Sequence, residues 1–344
     1  MSRTIYYLGA GASYGRRGED KKIIEGIPVV SEIPEQFALF QAYIETAVIP
    51  SDCEMVFQNT YRQSASNIES ERLDMLYDID QLIKGIQEHA TIDTYARKLY
   101  LTGRACEFKK LKSVLCAFFV WAQLVYKPDG RYDTFLANVL EEGNLMLPKD
   151  ISIVSWNYDS QIENAYKAYN HNSKLPLFEK NIQGEWPQQP NHGVIIKING
   201  SATFEDKSTI QYIKDDEKNM PAALQIIEFY HDSQVDTSGI GLDFKTHLSF
   251  AWEKSTNNEK IKSTLTQTIN DTEIVVVIGY SFPFFNRVTD RAIFSGMPNL
   301  KKVYVQDINP DAVIQAIHAV LPSDRIVNIE PIKNCGQFYL PVEL

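Results

Sequence analysis

Five short polar turns carry the residues of this chain that are of a type and spacing to do chemistry. The first follows the apolar run Thr4–Leu8 and reads Gly9-Ala10-Gly11-Ala12-Ser13. A strand ending in a Gly-x-Gly turn lets backbone N–H groups approach a pyrophosphate at a helix N-terminus. A full dinucleotide fingerprint needs glycine at position 14, where Tyr14 stands, and Gly15 comes one residue late. There is no GK[ST], which excludes a P-loop ATPase. Read alone, the turn is compatible with a ligand and with an ordinary glycine-rich bend. The second turn, Trp156-Asn157-Tyr158-Asp159, lies just past the run Ile151–Ser155. It sets an amide and a carboxylate at the carboxyl edge, where doubly wound sheets place ligands. Taken by themselves these two residues read first as a helix N-cap.

Three further turns repeat the pattern. Lys197-Ile198-Asn199-Gly200-Ser201 closes the run Val194–Ile198, and Gly279-Tyr280-Ser281-Phe282-Pro283-Phe284-Phe285-Asn286 follows Ile274–Ile278. Gln306-Asp307-Ile308-Asn309-Pro310 ends Val303–Gln306 and offers an acid or amide able to hold a ribose hydroxyl. Each has a cap or plain turn as its alternative. Five of them at strand ends are harder to set aside together.

The elements that must position these turns are legible as apolar runs. Thr4–Leu8, Ile151–Ser155 and Ile274–Ile278 are continuous and rich in β-branched residues. Val194–Ile198 and Val303–Gln306 are weaker, and Arg325–Ile329 is a last candidate. Continuous runs of this kind suit a parallel sheet with helices on both faces. Residues 35–145 have helical character instead. Asn67 reads as the N-cap of a helix carrying Leu73, Leu76, Ile79, Ile83 and Ile86 at helical spacing. Leu111–Val125 continues as a buried helix. The expected architecture is a single α/β domain over residues 1–344, a mostly parallel sheet with a helical insertion at 35–145 after the first strand. The polar stretches 170–191, with Pro176, Pro187 and Pro190, and 205–219 read as loops.

Composition narrows the function classes. Of 344 residues, 44% are apolar and 23% charged, near the averages for globular chains, which excludes wholesale disorder. The balance of 34 Lys plus Arg against 44 Asp plus Glu gives a net charge of −10. Phosphate neutralisation needs a basic face, so nucleic acid is not expected as a direct partner. Cys53, Cys106, Cys116 and Cys335 form no CxxC pair, which excludes a zinc ribbon and a dense disulfide framework. The N-terminus lacks the apolar stretch of a signal peptide. The longest uncharged run, Ser113–Tyr126, falls short of the roughly 20 residues a membrane span needs. A soluble, cytoplasmic protein without a membrane partner is the expectation.

In their order along the chain, GAGAS, WNYD, the strand-Lys-x-x-Gly-Ser element, IGYSFPFFN and VQDINP resemble the sirtuin-like NAD-binding domain of bacterial antiphage defence proteins. The resemblance spans most of the chain and is thinnest over the helical middle. It implies a Rossmann-like sheet with a helical insertion, NAD as substrate or ligand, and cleavage of NAD to nicotinamide and ADP-ribose. Carried over residue by residue, Asn157 matches the catalytic Asn that holds the nicotinamide ribose and the attacking water, and Asp159 the adjoining pocket carboxylate. Gly9, Ala10, Gly11 and Ser13 would line the dinucleotide phosphates. Gly200 and Ser201 match the Gly-Ser that follows the family's histidine. Gly279 and Ser281 would face the phosphate or ribose side, and Asp307 or Asn309 the adenosine ribose.

Two departures bear on chemistry. The deacylating sirtuins carry two CxxC pairs and this chain has none, so neither deacylation nor a metal is expected. Asn199 stands where the family has its histidine, and an amide cannot act as general base near neutral pH. General-base help is worth about 10²–10⁴-fold, while positioning and electrostatics supply the rest of such a reaction. Asn199 can still orient the ribose by hydrogen bonds. His192, His231 and His247 read as surface or packed residues. Phe282, Phe284 and Phe285 read as packing under the sheet edge, Arg287 and Arg291 as a solvated helix face, and Arg16, Arg17, Lys21 and Lys22 as a polar loop.

The resemblance thus supports an NAD hydrolase acting as an effector in antiphage defence. The alternative is a catalytically silent scaffold or sensor that binds NAD or ADP-ribose, and a third is hydrolysis of another nucleotide in the same pocket. No sensor domain is read after the sheet. The expected partners are further copies of the chain and a co-encoded protein such as a HerA-type ATPase or an Argonaute-like protein.

Overall fold

The computed structural model describes residues 3–29, 31–49, 55–57, 61–63, 65–89, 91–143, 145–169, 192–202, 204–205, 210–211, 222–234, 245–246, 248–253 and 258–344. Six strands build the main sheet: β1 (Thr4–Leu8), β2 (Ile151–Ser155), β3 (Ile195–Lys197), β4 (Ile274–Ile278), β5 (Lys302–Gln306) and β6 (Asn328–Ile332). All pair in parallel, in the order β3-β2-β1-β4-β5-β6. The chain walks outward from β1 through β2 to β3, then crosses back and walks the other way through β4 to β6. The order therefore reverses between β1 and β4. At such a point the crossover connections leave in opposite directions and a crevice opens outside the carboxyl ends of the strands. This is a Rossmann-like α/β sheet.

Ten helices are described: α1 (Ile33–Glu45), α2 (Ala65–Gln87), α3 (Ile92–Leu101), α4 (Ala105–Val125), α5 (Gly130–Val139), α6 (Gln161–Tyr169), α7 (Ala222–Gln234), α8 (Asn258–Asn270), α9 (Arg287–Ser295) and α10 (Pro310–His318). Side chains alternate across a strand, so β1 sends Ile5 and Tyr7 to one face and Tyr6 and Leu8 to the other. Ile5 and Tyr7 join Val275, Val277, Val303 and Val305 in a core with Leu265 and Ile269 of α8, Ile293 and Phe294 of α9, and Val313 and Ile317 of α10. Tyr6 and Leu8 join Ile153 and Val276 against Phe135 and Leu136 of α5 and Ile162 and Tyr166 of α6. Both faces being covered, β1, β2 and β4 are buried at every residue, which is why they read as unbroken apolar runs.

The described residues divide into two units. One holds the sheet and comprises residues 1–27, 127–200 and 249–344; the other comprises 28–126 and 201–248. In the second unit α2 packs against α1 and α7, and α4 against α7. Its core is aromatic, with Phe37 stacked on Phe118 at 4.2 Å and Phe40 against Trp121 at 5.4 Å.

Three sequence readings need correction. The last strand is Asn328–Ile332, not Arg325–Ile329. An edge strand is chosen by its pairing, here Lys302 with Asn328 through Gln306 with Ile332, and Ile326 is left 98% exposed. Pro331, which has no N–H to offer, is tolerated on such an edge. Asn67 is not an N-cap, because α2 already begins at Ala65. The buried stripe of α2 runs through Ile68, Met75, Ile79 and Leu82, and Leu73 is exposed. Residues 170–191 and most of 205–219, read as loops, lie outside the described residues. No described helix is long and apolar enough to cross a membrane.

Candidate functional site

The turns after β1 and β4 meet at the point where the strand order reverses. The Gly9 amide donates to Ile278 O at 3.0 Å and the Gly11 amide to Gly279 O at 2.9 Å. A Cβ on Gly9 would sit 2.6 Å from Gly279 O and Tyr280 Cα, and one on Gly279 2.4 Å from Gly11 Cα. Gly279 also has φ +58°, the left-handed region that glycine enters without steric cost. These glycines are where two backbones cross. The sequence places Gly9 and Gly11 beside phosphates, yet in the fold their amides are engaged by the β4 side, and Ala12 N donates to Gly9 O at 2.9 Å. Ala10, the exposed member of the turn, stands at the rim.

Asn157 extends from the end of β2 across this turn. Its Nδ2 donates to Gly9 O at 2.9 Å and to Ser13 Oγ at 3.2 Å, and its backbone N–H donates to Ser155 Oγ at 3.1 Å. Both amide protons are engaged, and Oδ1 makes no hydrogen bond among the described residues. Ser13 is the hub. It accepts from Asn157, lies 2.9 Å from the Tyr132 hydroxyl and donates to Asp159 Oδ1 at 3.1 Å. Asp159 Oδ1 also accepts from Gln161 N at 3.0 Å, so it caps α6 as well as holding Ser13.

Asp159 is fully buried behind Ser13. Burial pushes its carboxyl above the usual range, and the Lys197 charge and the Gln161 amide oppose that shift. Lys197 Nζ donates to the Asp159 carbonyl and pairs with Glu163 at 3.3 Å. The buried ammonium thus pairs with the Glu163 carboxylate and ties down the Asp159 main chain, acting on the Asp159 carboxyl only through its charge.

Asn199, on the turn after β3, is 6% exposed. Its Nδ2 donates to Trp156 O at 3.2 Å, and its carbonyl accepts from Ser249 N at 2.9 Å. Its Oδ1 is buried with no partner among the described residues. An acceptor buried without a donor costs about 1–3 kcal/mol, and the cost is relieved by a water or ligand hydroxyl. The Trp156 carbonyl therefore joins Asn199 to the peptide that carries Asn157. Gly200 turns the chain at φ +70°, and Ser201 behind it is fully buried.

The remaining expected residues are less tightly gathered. Ser281 is exposed beside β4. Asp307 is half-buried at the end of β5, where its carboxylate accepts from Asn309 N at 2.8 Å. Asn309 is exposed, and neither hydrogen-bonds to the glycine turn, Asn157 or Asn199. Phe282 is buried, as the sequence suggests, at φ +52°, whereas Phe284 is 73% exposed. Arg17 donates to Tyr14, Glu25 and Ile27 carbonyls and Arg16 pairs with Glu25, so both serve the antiparallel pairing of Arg16–Arg17 with Ile23–Glu25. His192 lies 3.7 Å from Glu141 and His231 3.6 Å from Glu71; neither reaches Asn199, and His247 lies outside the described residues. No group of described His, Cys, Asp or Glu residues is placed to hold a metal ion.

Sequence reasoning missed Arg131 and Tyr132. Arg131 donates to Gly11 O at 2.9 Å, Ala12 O at 3.2 Å and Cys335 O at 3.2 Å while paired with buried Asp129 at 2.6 Å. The local signal was only Asp129 as the N-cap of α5, where it accepts from Arg131 N at 2.9 Å.

Residues 151–317 match the family model of the SIR2-like domain. SIR2-like domains bind NAD, and the match points to an NAD-related function. The matched span runs from β2 into α10 and takes in Asn157, Asp159, Asn199 and Gly279, with the glycine turn ahead of it. No curated protein matches the chain.

Proposed function

We propose that this chain, a member of the SIR2-like domain family across residues 151–317, hydrolyses NAD to nicotinamide and ADP-ribose. One observation carries the reading. Asn157 Oδ1 and the buried Asn199 Oδ1 are acceptors without donors among the described residues, joined through the Trp156 carbonyl at the carboxyl edge of the sheet. Ribose hydroxyls and water are the donors such a pair would take.

The nicotinamide of NAD is already cationic, so it leaves as a neutral group when its bond to ribose C1′ breaks. The electron pair goes to the ring nitrogen and positive charge develops on the ribose. A water oxygen then bonds to C1′ and its proton passes to solvent. Asn157 would hold that water and the ribose, and Asn199 would fix the ribose hydroxyls. Asp159, Glu163 and Lys197 beneath the turn would supply a polar environment preorganised by the fold as the cation forms. Gly9, Ala10, Gly11 and Gly279 shape the floor, Ser13 and Asp159 hold Asn157 in place, and Gly200, Ser201, Ser281, Asp307 and Asn309 form the surround in this reading. In its biological setting the enzyme would be a cytoplasmic effector of antiphage defence. It would act with further copies of itself or with a co-encoded partner of the HerA-type ATPase or Argonaute-like kind.

A second reading, a silent module binding NAD or ADP-ribose, draws on Asn199 itself, since neither described candidate histidine, His192 or His231, reaches it. The test is nicotinamide release from NAD by the purified chain, with and without its co-encoded partner, beside Asn157→Ala. We expect release that falls at least 100-fold in the variant. NAD binding by calorimetry without release would establish the silent module instead.

A further inference from the structure

We infer that Asp290 is a positioning residue of this site, holding Tyr280 and through it Trp156 and the Asn157 peptide, and that proton uptake by its side chain loosens that arrangement. Asp290 lies on α9 and is fully buried. Tyr7 OH from β1 donates to its Oδ1 at 2.6 Å, and Tyr280 OH from the turn after β4 donates to both carboxylate oxygens at 3.2 and 3.0 Å. Asn286 Nδ2 donates in turn to the Tyr280 hydroxyl at 3.0 Å.

No cation joins this cluster among the described residues. On the same helix Arg291 Nε donates to Ala319 O at 3.1 Å, and Arg287 lies over the Phe284 ring at 5.2 Å. The groups that face Asp290 are therefore Tyr7 and Tyr280, with Asn286 one bond beyond. The Tyr280 ring is stacked on Trp156, centroids 5.5 Å apart and 3° from parallel, and meets Tyr7 edge-on at 5.3 Å. Trp156 in turn supplies the carbonyl that Asn199 holds and precedes Asn157.

Hydrogen-bond counting gives the direction. The ionised carboxylate accepts from both phenols, and every hydroxyl proton has an acceptor. A protonated Asp290 becomes a donor as well. The oxygens that hydrogen-bond it among the described residues are those two phenols, and whichever accepts must turn its own proton away in a buried site. Tyr280, already accepting from Asn286, then loses an anchor beneath Trp156. Burial pushes the Asp290 carboxyl up to about 7, against the pull of the two hydroxyls, so the exchange falls in the neutral range.

The test uses the full-length protein and has two arms, of which the second rests on the hydrolase reading. In the first, tryptophan fluorescence is followed from pH 5.5 to 8.5 in the parent and in Trp156→Phe, the difference isolating Trp156. A midpoint near 7 is expected in the parent, and none in Asp290→Asn or in Tyr280→Phe, which keeps the stacked ring. In the second, kcat for nicotinamide release should be about tenfold higher at pH 8 than at pH 6 in the parent, the ratio of ionised fractions for one group titrating near 7, and flat in Asp290→Asn. A Trp156 signal that does not titrate in the parent, or that titrates unchanged in both folded variants, overturns the inference. A protein that releases no nicotinamide overturns the hydrolase reading and leaves the fluorescence arm to decide this one.

Discussion

Replacing Arg131 by methionine removes the charged group that holds the glycine turn from its carbonyl side. The guanidinium spans Gly11 O, Ala12 O and Cys335 O while pairing with Asp129, and the two side chains are 14% and 3% exposed. Methionine has nearly the same reach and no charge, so the change strands a buried carboxylate rather than opening a void. Removing one member of a buried pair costs about 3–5 kcal/mol, most of it the uncompensated charge left behind. The residual exposure of Arg131 admits some water, which puts the expectation at the lower end, about 3 kcal/mol. Asp129→Asn keeps the cap on the Arg131 amide, since asparagine caps as well as aspartate, and removes the charge. The double variant should therefore cost less than the sum of the single changes, with a coupling of about 1–3 kcal/mol. Denaturant unfolding of the parent, both single variants and the double variant measures this directly. Calorimetric titration with NAD should show at least a tenfold loss of affinity in Arg131→Met. Arg131→Lys should recover stability better than affinity, because an ammonium cannot reach three carbonyls at once. A cost below about 1 kcal/mol with unchanged NAD affinity, or strict additivity in the double variant, would refute the reasoning.

Three further outcomes can be checked independently. Gly279→Ala forces a left-handed backbone, φ +58°, on a residue whose Cβ would lie 2.4 Å from Gly11 backbone atoms; strain and overlap together should exceed about 2 kcal/mol and lower the melting temperature by several degrees. An unchanged melting curve would show that the two turns have room to separate. Asn199→His restores a group that titrates near neutrality, and nicotinamide release should rise by about 10²-fold or more, up to the 10⁴-fold that a general base can supply; an unaltered rate would show that water is activated without one. Burial and neighbouring Asp232 and Glu71 charges push Glu228 on α7 up to about 8, and burial chiefly lifts Asp232 to about 6. Both are raised above their unfolded values, so the stability they confer is full below about pH 4 and is lost as pH rises through 6 to 8. Thermal melts from pH 5 to 9 should therefore decline in the parent and decline less in Glu228→Gln. Parallel curves for the two proteins would exclude Glu228 as the group responsible.

What the sequence reveals here follows from where burial is complete. Thr4–Leu8, Ile151–Ser155 and Ile274–Ile278 match their observed strands residue for residue because both faces of a central strand are covered, leaving no polar position to blur the pattern. Toward the edges the pattern weakens. Val194–Ile198 contracts to Ile195–Lys197, and Arg325–Ile329 gives way to Asn328–Ile332, because pairing with one neighbour rather than burial decides which residues count. The five turns were legible as a set since parallel strands bring all their carboxyl ends to one side. The residues that fasten those turns were not. Arg131 in Asp-Gly-Arg-Tyr looks like any arginine in a first helical turn, and its carbonyl partners lie 120 and 119 positions away. Asp290 sits in Arg-Val-Thr-Asp-Arg, where a solvated face is the natural reading, yet it meets Tyr7 across 283 positions.

Asn199 separates a packing role from a chemical one. Its Nδ2 bond to the Trp156 carbonyl at 3.2 Å accounts for half of the amide. The other half, Oδ1, is enclosed with no donor. A residue kept only for packing would gain about 1–3 kcal/mol from any neighbour able to donate to it, and the fold provides none among the described residues. The position is thus held at a cost in stability, linked through the Trp156 carbonyl to the Asn157 peptide, at the carboxyl end of β3. On the hydrolase reading proposed above, that cost is relieved when a ribose hydroxyl or a water donates to Oδ1.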